Sequence, residues 1–281
     1  MLKKQFLFLT TATAIFTVGT IQQSAQAAVL ALNDDNSTAA FEAGDASNPG
    51  NSGLIFWTVD NTNHLFQNQY WYRIGSTNGE SAINSLNLIG LTQNHAASNQ
   101  LTATYGGNGF EIALNFKLDG GTSGSRTASL FENIQVKNTG SDNLDFHLFK
   151  YTDFDLTDNG GDDTTNINNG IAKQFDDFTL ATQVIAPTAS HYQVAAFPDI
   201  LNALTDNLPT TLTNFSTVTG ESSYAFQWDF ALESEKTVSI TNSTFLQPVP
   251  EPTMTLGCLI GFAGLGIFSR FRHSHNRAVK S

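Results

Sequence analysis

The chain has 281 residues, 13 Lys+Arg against 25 Asp+Glu, a formal net charge of −12 and a single cysteine. So acidic a balance speaks against a nucleic-acid partner, because phosphate contacts are made chiefly by Lys and Arg. One thiol excludes a disulfide framework, and the chain is long enough to bury a sizeable core without one.

At the N-terminus, Lys3 and Lys4 precede an apolar stretch over 6–21, and Ala25-Gln26-Ala27 comes after it. A basic n-region, an apolar h-region and small residues at alternate positions predict a secretory signal peptide over residues 1–27. The Sec translocon would read it, and signal peptidase would cut at the Ala25-x-Ala27 site. Basic residues also gather at the other end, at Arg270, Arg272, Arg277 and Lys280, with the acidic residues between the two ends. That charge pattern is expected when both ends start in the cytoplasm while the middle crosses.

The body, residues 28–247, reads as one domain. Residues 28–60 are rich in Asn, Ser, Asp, Gly and Ala and then enter the apolar run 53–59. Gln69, Trp71 and Arg73 alternate with Tyr70, Tyr72 and Ile74. The clearest alternation is Phe110, Ile112, Leu114, Phe116 and Leu118, a period of two that predicts a half-buried strand. Gly106-Gly107-Asn108-Gly109 before it predicts a tight hairpin. Alternation resumes at Ala128, Leu130, Glu132, Ile134 and Val136. A second turn at 138–143 leads to Leu144, Phe146 and Leu148, which places His147 on the opposite side from its apolar neighbours. Further strands are predicted over 178–185, 191–197, 224–232 and 237–246, and a short amphipathic helix over 199–206, with Ile200, Leu201 and Leu204 on one side. Residues 241–249 read as a connector to the C-terminal tail. Short strands separated by Gly, Asn, Asp and Thr turns predict an all-β chain, an antiparallel β-sandwich of Ig-like or jelly-roll type.

The sharpest candidate chemistry in the body is Asp153, Asp155, Asp158, Asp162 and Asp163 with Asn159, Gly160 and Gly161 among them. Closely spaced carboxylates around glycines suit a hard cation such as Ca²⁺. Aligned to an EF-type loop, the final bidentate position falls on Asn166 rather than Glu. A solvated acidic loop between strands is the competing reading. Trp57 and Trp71 are candidates to stack on a sugar ring, with core packing as the competing reading. No Gly-x-Ser-x-Gly elbow, His-Glu-x-x-His or phosphate-binding Gly-x-x-x-x-Gly-Lys occurs. His64, His95, His147 and His191 lack metal-ligand spacing.

The tail carries the most specific pattern. Pro250-Glu251-Pro252 leads into an uncharged apolar run over 253–268, then Arg270 and Arg272. The run is close to the shortest helix that spans a bilayer, roughly 17 residues, so residues 248–281 predict a single transmembrane sorting helix with a cationic stop. Cys258, inside it, reads as a small apolar filler. This tripartite tail resembles the PEP-CTERM sorting signal. The resemblance implies an exosortase as processing partner, a transient membrane tether, and delivery to the cell surface or extracellular matrix in an exopolysaccharide or biofilm setting. The stretch 134–149 is similar to a strand-turn-strand phrase of secreted bacterial β-sandwich domains, and 226–240 to the closing strands of exported domains with the same tag. Together these lead to the expectation of a non-enzymatic exported matrix protein. A carbohydrate-binding module, Ca²⁺-dependent or not, is the alternative, and a secreted glycan hydrolase with paired carboxylates is a third reading.

Overall fold

Phe110, Ile112, Leu114, Phe116 and Leu118 are buried, while the residues between them are half-buried or exposed. The same two-residue period, one face dry and one wetter, recurs in β-strands over 100–106, 128–138, 164–168, 171–175 and 179–186. The computed structural model describes residues 28–44, 53–94 and 98–250. In that part, eighteen strands form two antiparallel sheets of nine strands each.

The first strands are β1 (Ala28–Asp34), β2 (Ser37–Ala43), β3 (Gly53–Val59), β4 (Thr62–Asn63), β5 (Leu65–Ile74) and β6 (Ser81–Ala82). They begin sheet A. The chain then crosses to sheet B for β7 (Asn87–Gln93), β8 (Gln100–Gly106), β9 (Phe110–Gly120) and β10 (Ala128–Asn138), and returns to sheet A with β11 (Leu144–Phe154). Three strands of sheet B come next, β12 (Thr164–Asn168), β13 (Ile171–Phe175) and β14 (Thr179–Ala186). The last strands alternate between the sheets: β15 (His191–Ala196) in A, β16 (Thr217–Thr219) in B, β17 (Ser222–Leu232) in A and β18 (Thr237–Pro248) in B. Helix α1 (Asp199–Thr205) lies between β15 and β16. The spatial order is β1-β2-β3-β5-β11-β17-β15 in sheet A, with β4 on β3 and β6 on β5, and β16-β12-β13-β14-β18-β10-β9-β8-β7 in sheet B.

The inner faces meet through aromatic side chains. Phe41 of β2 packs on Phe116 of β9 at 5.1 Å between ring centroids, and Phe116 also meets Tyr70 of β5 at 6.5 Å. Tyr72, Phe110 and Phe146 form a second aromatic group nearby. Such edge-on, tilted and stacked pairs add to the burial of large apolar surfaces. Gly53 has φ +91°, and a Cβ there would lie 2.2 Å from the carbonyl oxygen of Asn68. Only glycine lets β3 approach β5 this closely.

The expectation of an all-β antiparallel sandwich agrees with this architecture, and α1 coincides with the predicted helix. The finer expectation is corrected. Each sheet alone has about as many strands as an entire Ig-like or jelly-roll domain. The stretch 241–249 is no connector either, because β18 runs to Pro248 as an interior strand paired with β10 and β14. Ala25, Ala27, Glu251, Pro252, Arg270 and Arg272 lie outside the described residues, and Pro250 is the last residue within them. Among the described residues no helix is long and apolar enough to cross a membrane.

Candidate functional site

Strand β11 sits between β5 and β17, and its side chains alternate between the sandwich interior and the outer face of sheet A. On the outer face the registers align residues in rows. Arg73, His147 and Asp229 form one row, and Trp71, Phe149, Gln227 and His191 the next. Gln69, Tyr151, Ala225 and Gln193 form a third. The middle of this face is not open. Ile200 and Leu204 of α1, together with Leu212, pack on Trp71, Phe149, Tyr151 and Ala225 to make a second small core. The loop after α1 is tied down by the Gln227 side-chain carbonyl, which accepts from the Leu212 N–H at 3.0 Å.

The first row stays at the margin of that plug. Nδ1 of His147 lies 2.5 Å from Oδ1 of Asp229, and Gln227 Nε2 donates to the same oxygen at 2.8 Å. His191 Nε2 lies 3.7 Å from the other Asp229 oxygen, and the His191 and Asp229 side chains are 33% and 30% exposed. Burial acts to raise the Asp229 pKa, but the bonds from Gln227 and His147 and the adjacent imidazoles outweigh it and leave that pKa below the ordinary value. Asp229 is therefore a carboxylate that accepts a proton bond from Nδ1 of His147. The other ring nitrogen, Nε2, is buried and has no hydrogen-bond partner. Asp145 Oδ1 lies 3.6 Å from it. A carboxylate-oriented imidazole is an arrangement used for general acid–base work; here the ring is largely covered, with 13% of the His147 side chain exposed. Beside it, Arg73 makes an ion pair with Glu80, donates from Nη1 to the Thr210 carbonyl at 2.7 Å and stacks over Phe149 at 5.6 Å. Its charge is committed to holding the plug against the sheet.

The inner face carries a second polar group. Glu132 of β10 and Lys150 of β11 are 1% and 0% exposed, with Lys150 Nζ 3.5 Å from Glu132 Oε1. Tyr70, Asn68 and Asn242 all donate to Glu132. Desolvation lowers the Lys150 pKa against the pull of Glu132.

The residues singled out from sequence lie outside the histidine cluster. Trp57 and Trp71 are 1% and 2% exposed. Trp57 lies in the inter-sheet core, where its Nε1 donates to Ser37 Oγ at 2.9 Å, and Trp71 lies under α1. A stacking platform must be exposed, so the sugar-stacking expectation for both is corrected. The five aspartates occupy the passage from β11 to β12. Asp153 accepts from the Tyr151 hydroxyl at 3.2 Å, and Asp162 from Asn159 at 3.0 Å. Asp155 and Asp158 flank or end a single tight turn, Leu156–Asp158. Asp163 is fully buried and accepts from Gln174 at 2.5 Å. Burial pushes its carboxyl up to about 7. Among the described residues no three His, Cys, Asp or Glu side chains are placed to hold a metal ion. The loop is anchored from β4–β5, where His64 Nδ1 accepts from the Thr157 N–H at 3.2 Å. Burial holds His64 down at about 4.

No protein-family model matches the chain, and no curated protein does so either. Solved structures do. A bacterial glucoamylase in complex with acarbose is similar at 12% identity with a TM-score of 0.50, over 86% of this chain and 35% of that one. An Escherichia coli K12 protein provisionally assigned as an aldose 1-epimerase is similar at 10% identity with a TM-score of 0.53, over 80% of this chain and the whole of that one. The chain thus spans about a third of the glucoamylase, and at these identities the likeness shows a shared fold. The expectation of a non-enzymatic domain is corrected by it, because the fold is one that enzymes use. That expectation rested on the PEP-CTERM resemblance and on missing short motifs. In an antiparallel sandwich, side chains distant in sequence are brought together across strands, as Arg73, His147 and Asp229 are here from β5, β11 and β17.

His147, His191 and Asp229 were not gathered by sequence reasoning. Their only signal was a polar residue at an alternate position of a strand, His147 between Phe146 and Leu148. The pairing that joins it to Asp229 depends on strand order.

Proposed function

We propose that this chain is an exported, saccharide-directed domain that works at the margin of sheet A's outer face, with His147 as the group that moves a proton. The observation that carries this reading is the His147–Asp229–His191 cluster. One carboxylate orients an imidazole whose Nε2 is left without a partner, and a second imidazole shares that carboxylate at the exposed side. Opening and closing a sugar's hemiacetal needs one group to take the anomeric hydroxyl proton and another to deliver a proton to the ring oxygen. His147 and His191 supply these two positions. The fold it shares with about a third of a glucoamylase and with a provisionally assigned aldose 1-epimerase agrees with a sugar as ligand.

The routing belongs to the same proposal. The signal peptide brings the acidic body across the membrane, and the Pro250-Glu251-Pro252 tail parks it there for an exosortase, which transfers it to the cell surface or matrix. Proline blocks regular structure at the cut region, and Glu251 supplies the recognised charge.

The test of the chemical part uses the purified chain and neutral aldoses, with the exchange between α and β anomers followed by NMR. The expected result is an exchange rate above buffer that drops roughly 10²–10⁴-fold in His147→Ala. Equal rates in wild type, variant and buffer contradict it. The test of the routing is mass spectrometry of the mature C-terminus from a host with and without its exosortase. Material that still ends at Ser281 in the competent host contradicts processing.

A further inference from the structure

The lysine on the inner face of β11 is part of a closer arrangement than an ion pair. Lys150 Nζ donates to the Asn68 side-chain carbonyl at 2.8 Å and to Thr152 Oγ1 at 3.1 Å, and lies 3.5 Å from Glu132 Oε1. That same Oε1 accepts from Asn68 Nδ2 at 2.9 Å and from Asn242 Nδ2 at 2.8 Å. The other carboxylate oxygen accepts from the Tyr70 hydroxyl at 2.5 Å. Asn68 is 3% exposed, and Lys150 and Glu132 are more deeply buried still. An amine is therefore held against a carboxamide carbonyl, and one carboxylate oxygen faces both the amine and the amide nitrogen.

As an ion pair alone this is a poor use of a core position, since a buried salt bridge is often no more stable than apolar residues of the same size. As a reaction site every part has a task. We propose that Lys150 and Asn68 join in an intramolecular isopeptide bond, with Glu132 carrying the protons. Lys150 transfers a proton to Glu132, and its lone pair attacks Cγ of Asn68. The Nζ–Cγ bond forms and the Cγ–Nδ2 bond breaks. Two protons pass in turn from Nζ through Glu132 to Nδ2, which leaves as ammonium. One ammonium and one carboxamide become one secondary amide and one ammonium, so no oxidant or second reactant enters. Holding the groups in contact replaces a bimolecular encounter, and the dry surroundings favour the neutral, nucleophilic amine of Lys150.

The bond ties β5 to β11, the middle of sheet A. The only cysteine of the chain, Cys258, lies in the tail, so no disulfide can staple the body. An amide link does the same work and is indifferent to reducing agents.

The test is peptide mapping and intact mass of the folded full chain under denaturing conditions. The expected wild-type protein is lighter by one ammonia than its sequence, and digestion yields a branched peptide that carries both Lys150 and Asn68. Lys150→Arg and Glu132→Gln should restore the full mass with linear peptides. Asn68→Asp should give the same branched peptide with loss of water in place of ammonia. The wild-type measurement stands by itself if a variant fails to fold. Full mass with Lys150 and Asn68 on separate linear peptides overturns the proposal. So does an ammonia loss confined to Asn68 while Lys150 remains a free amine.

Discussion

The two faces of β11 treat polar side chains in opposite ways. Inside, Lys150 and Thr152 join Glu132, Asn68 and Tyr70 in a dry network in which the charges meet other groups of the network. Outside, His147 and Asp229 sit where α1 and its loop stop covering the sheet, and one imidazole nitrogen is left without a partner. The inner group is enclosed and satisfied, so it acts on the protein itself by fixing which strands meet. The outer group is partly open through Asp229 and His191, and one buried imidazole nitrogen in it lacks a partner.

The comparison breaks most visibly at Glu132. Glu132→Ala leaves Lys150 buried without its counter-charge and should cost about 3–5 kcal/mol, read by urea unfolding. A loss under about 1 kcal/mol would mean that the pair is solvated. Next comes the plug on the outer face. Leu204 is 1% exposed, and Leu204→Ala should cost about 2–5 kcal/mol and loosen the loop that Arg73 and Gln227 hold. Hydrogen exchange in 197–216 that matches the wild type would contradict that tie.

The acidic passage offers a sharper contrast, because two buried groups there pull stability in opposite directions. The folded pKa of Asp163, about 7, is above its ordinary 3.8. Between these values the native state keeps a proton that the unfolded chain has released, so this residue makes stability fall as pH rises. The folded pKa of His64, about 4, is below 6.5. Over that window the unfolded chain holds the extra proton, so this residue makes stability rise with pH. Asp163→Asn should therefore give a Tm that climbs between pH 4 and 6.5, and His64→Gln a Tm that declines between pH 4 and 7. Variants with the same pH slope as each other would contradict both assignments.

The smallest effects belong to the surface. Lys117 and Asp119 pair at 2.7 Å but are 45% and 49% exposed, so Lys117→Ala should shift stability by under about 1 kcal/mol.

Much of the strand content was legible, because Phe110 to Leu118 and Ala128 to Val136 alternate over long runs that no helix would bury. Strands β1 and β2 were not, since Ala, Asn, Ser and Thr there resemble a polar linker, and Ala39 and Phe41 are buried once β2 pairs with β3 and faces the other sheet. Sheet size and order were also hidden, because partners such as β10 and β18 lie far apart in the chain. Glu132 stood in plain view, a charge in the inward series Leu130, Glu132, Ile134, and Lys150 likewise came after Phe146 and Leu148. A charge at a core position was the available signal for a buried network. The conspicuous aspartates and tryptophans misled for the reverse reason. Local clustering says nothing about whether side chains converge, and large rings such as Trp57 and Trp71 are absorbed by the inter-sheet core and by the plug under α1.

The central claim is that the outer margin of sheet A meets a sugar through His147 and His191. Imidazole ¹H–¹⁵N spectra of the full chain, recorded during titration with neutral hexoses and their oligomers, test it most directly. The account predicts that the His147 and His191 signals move together and saturate while those of buried His64 stay fixed. Imidazole signals that all remain in place throughout the titration would contradict it.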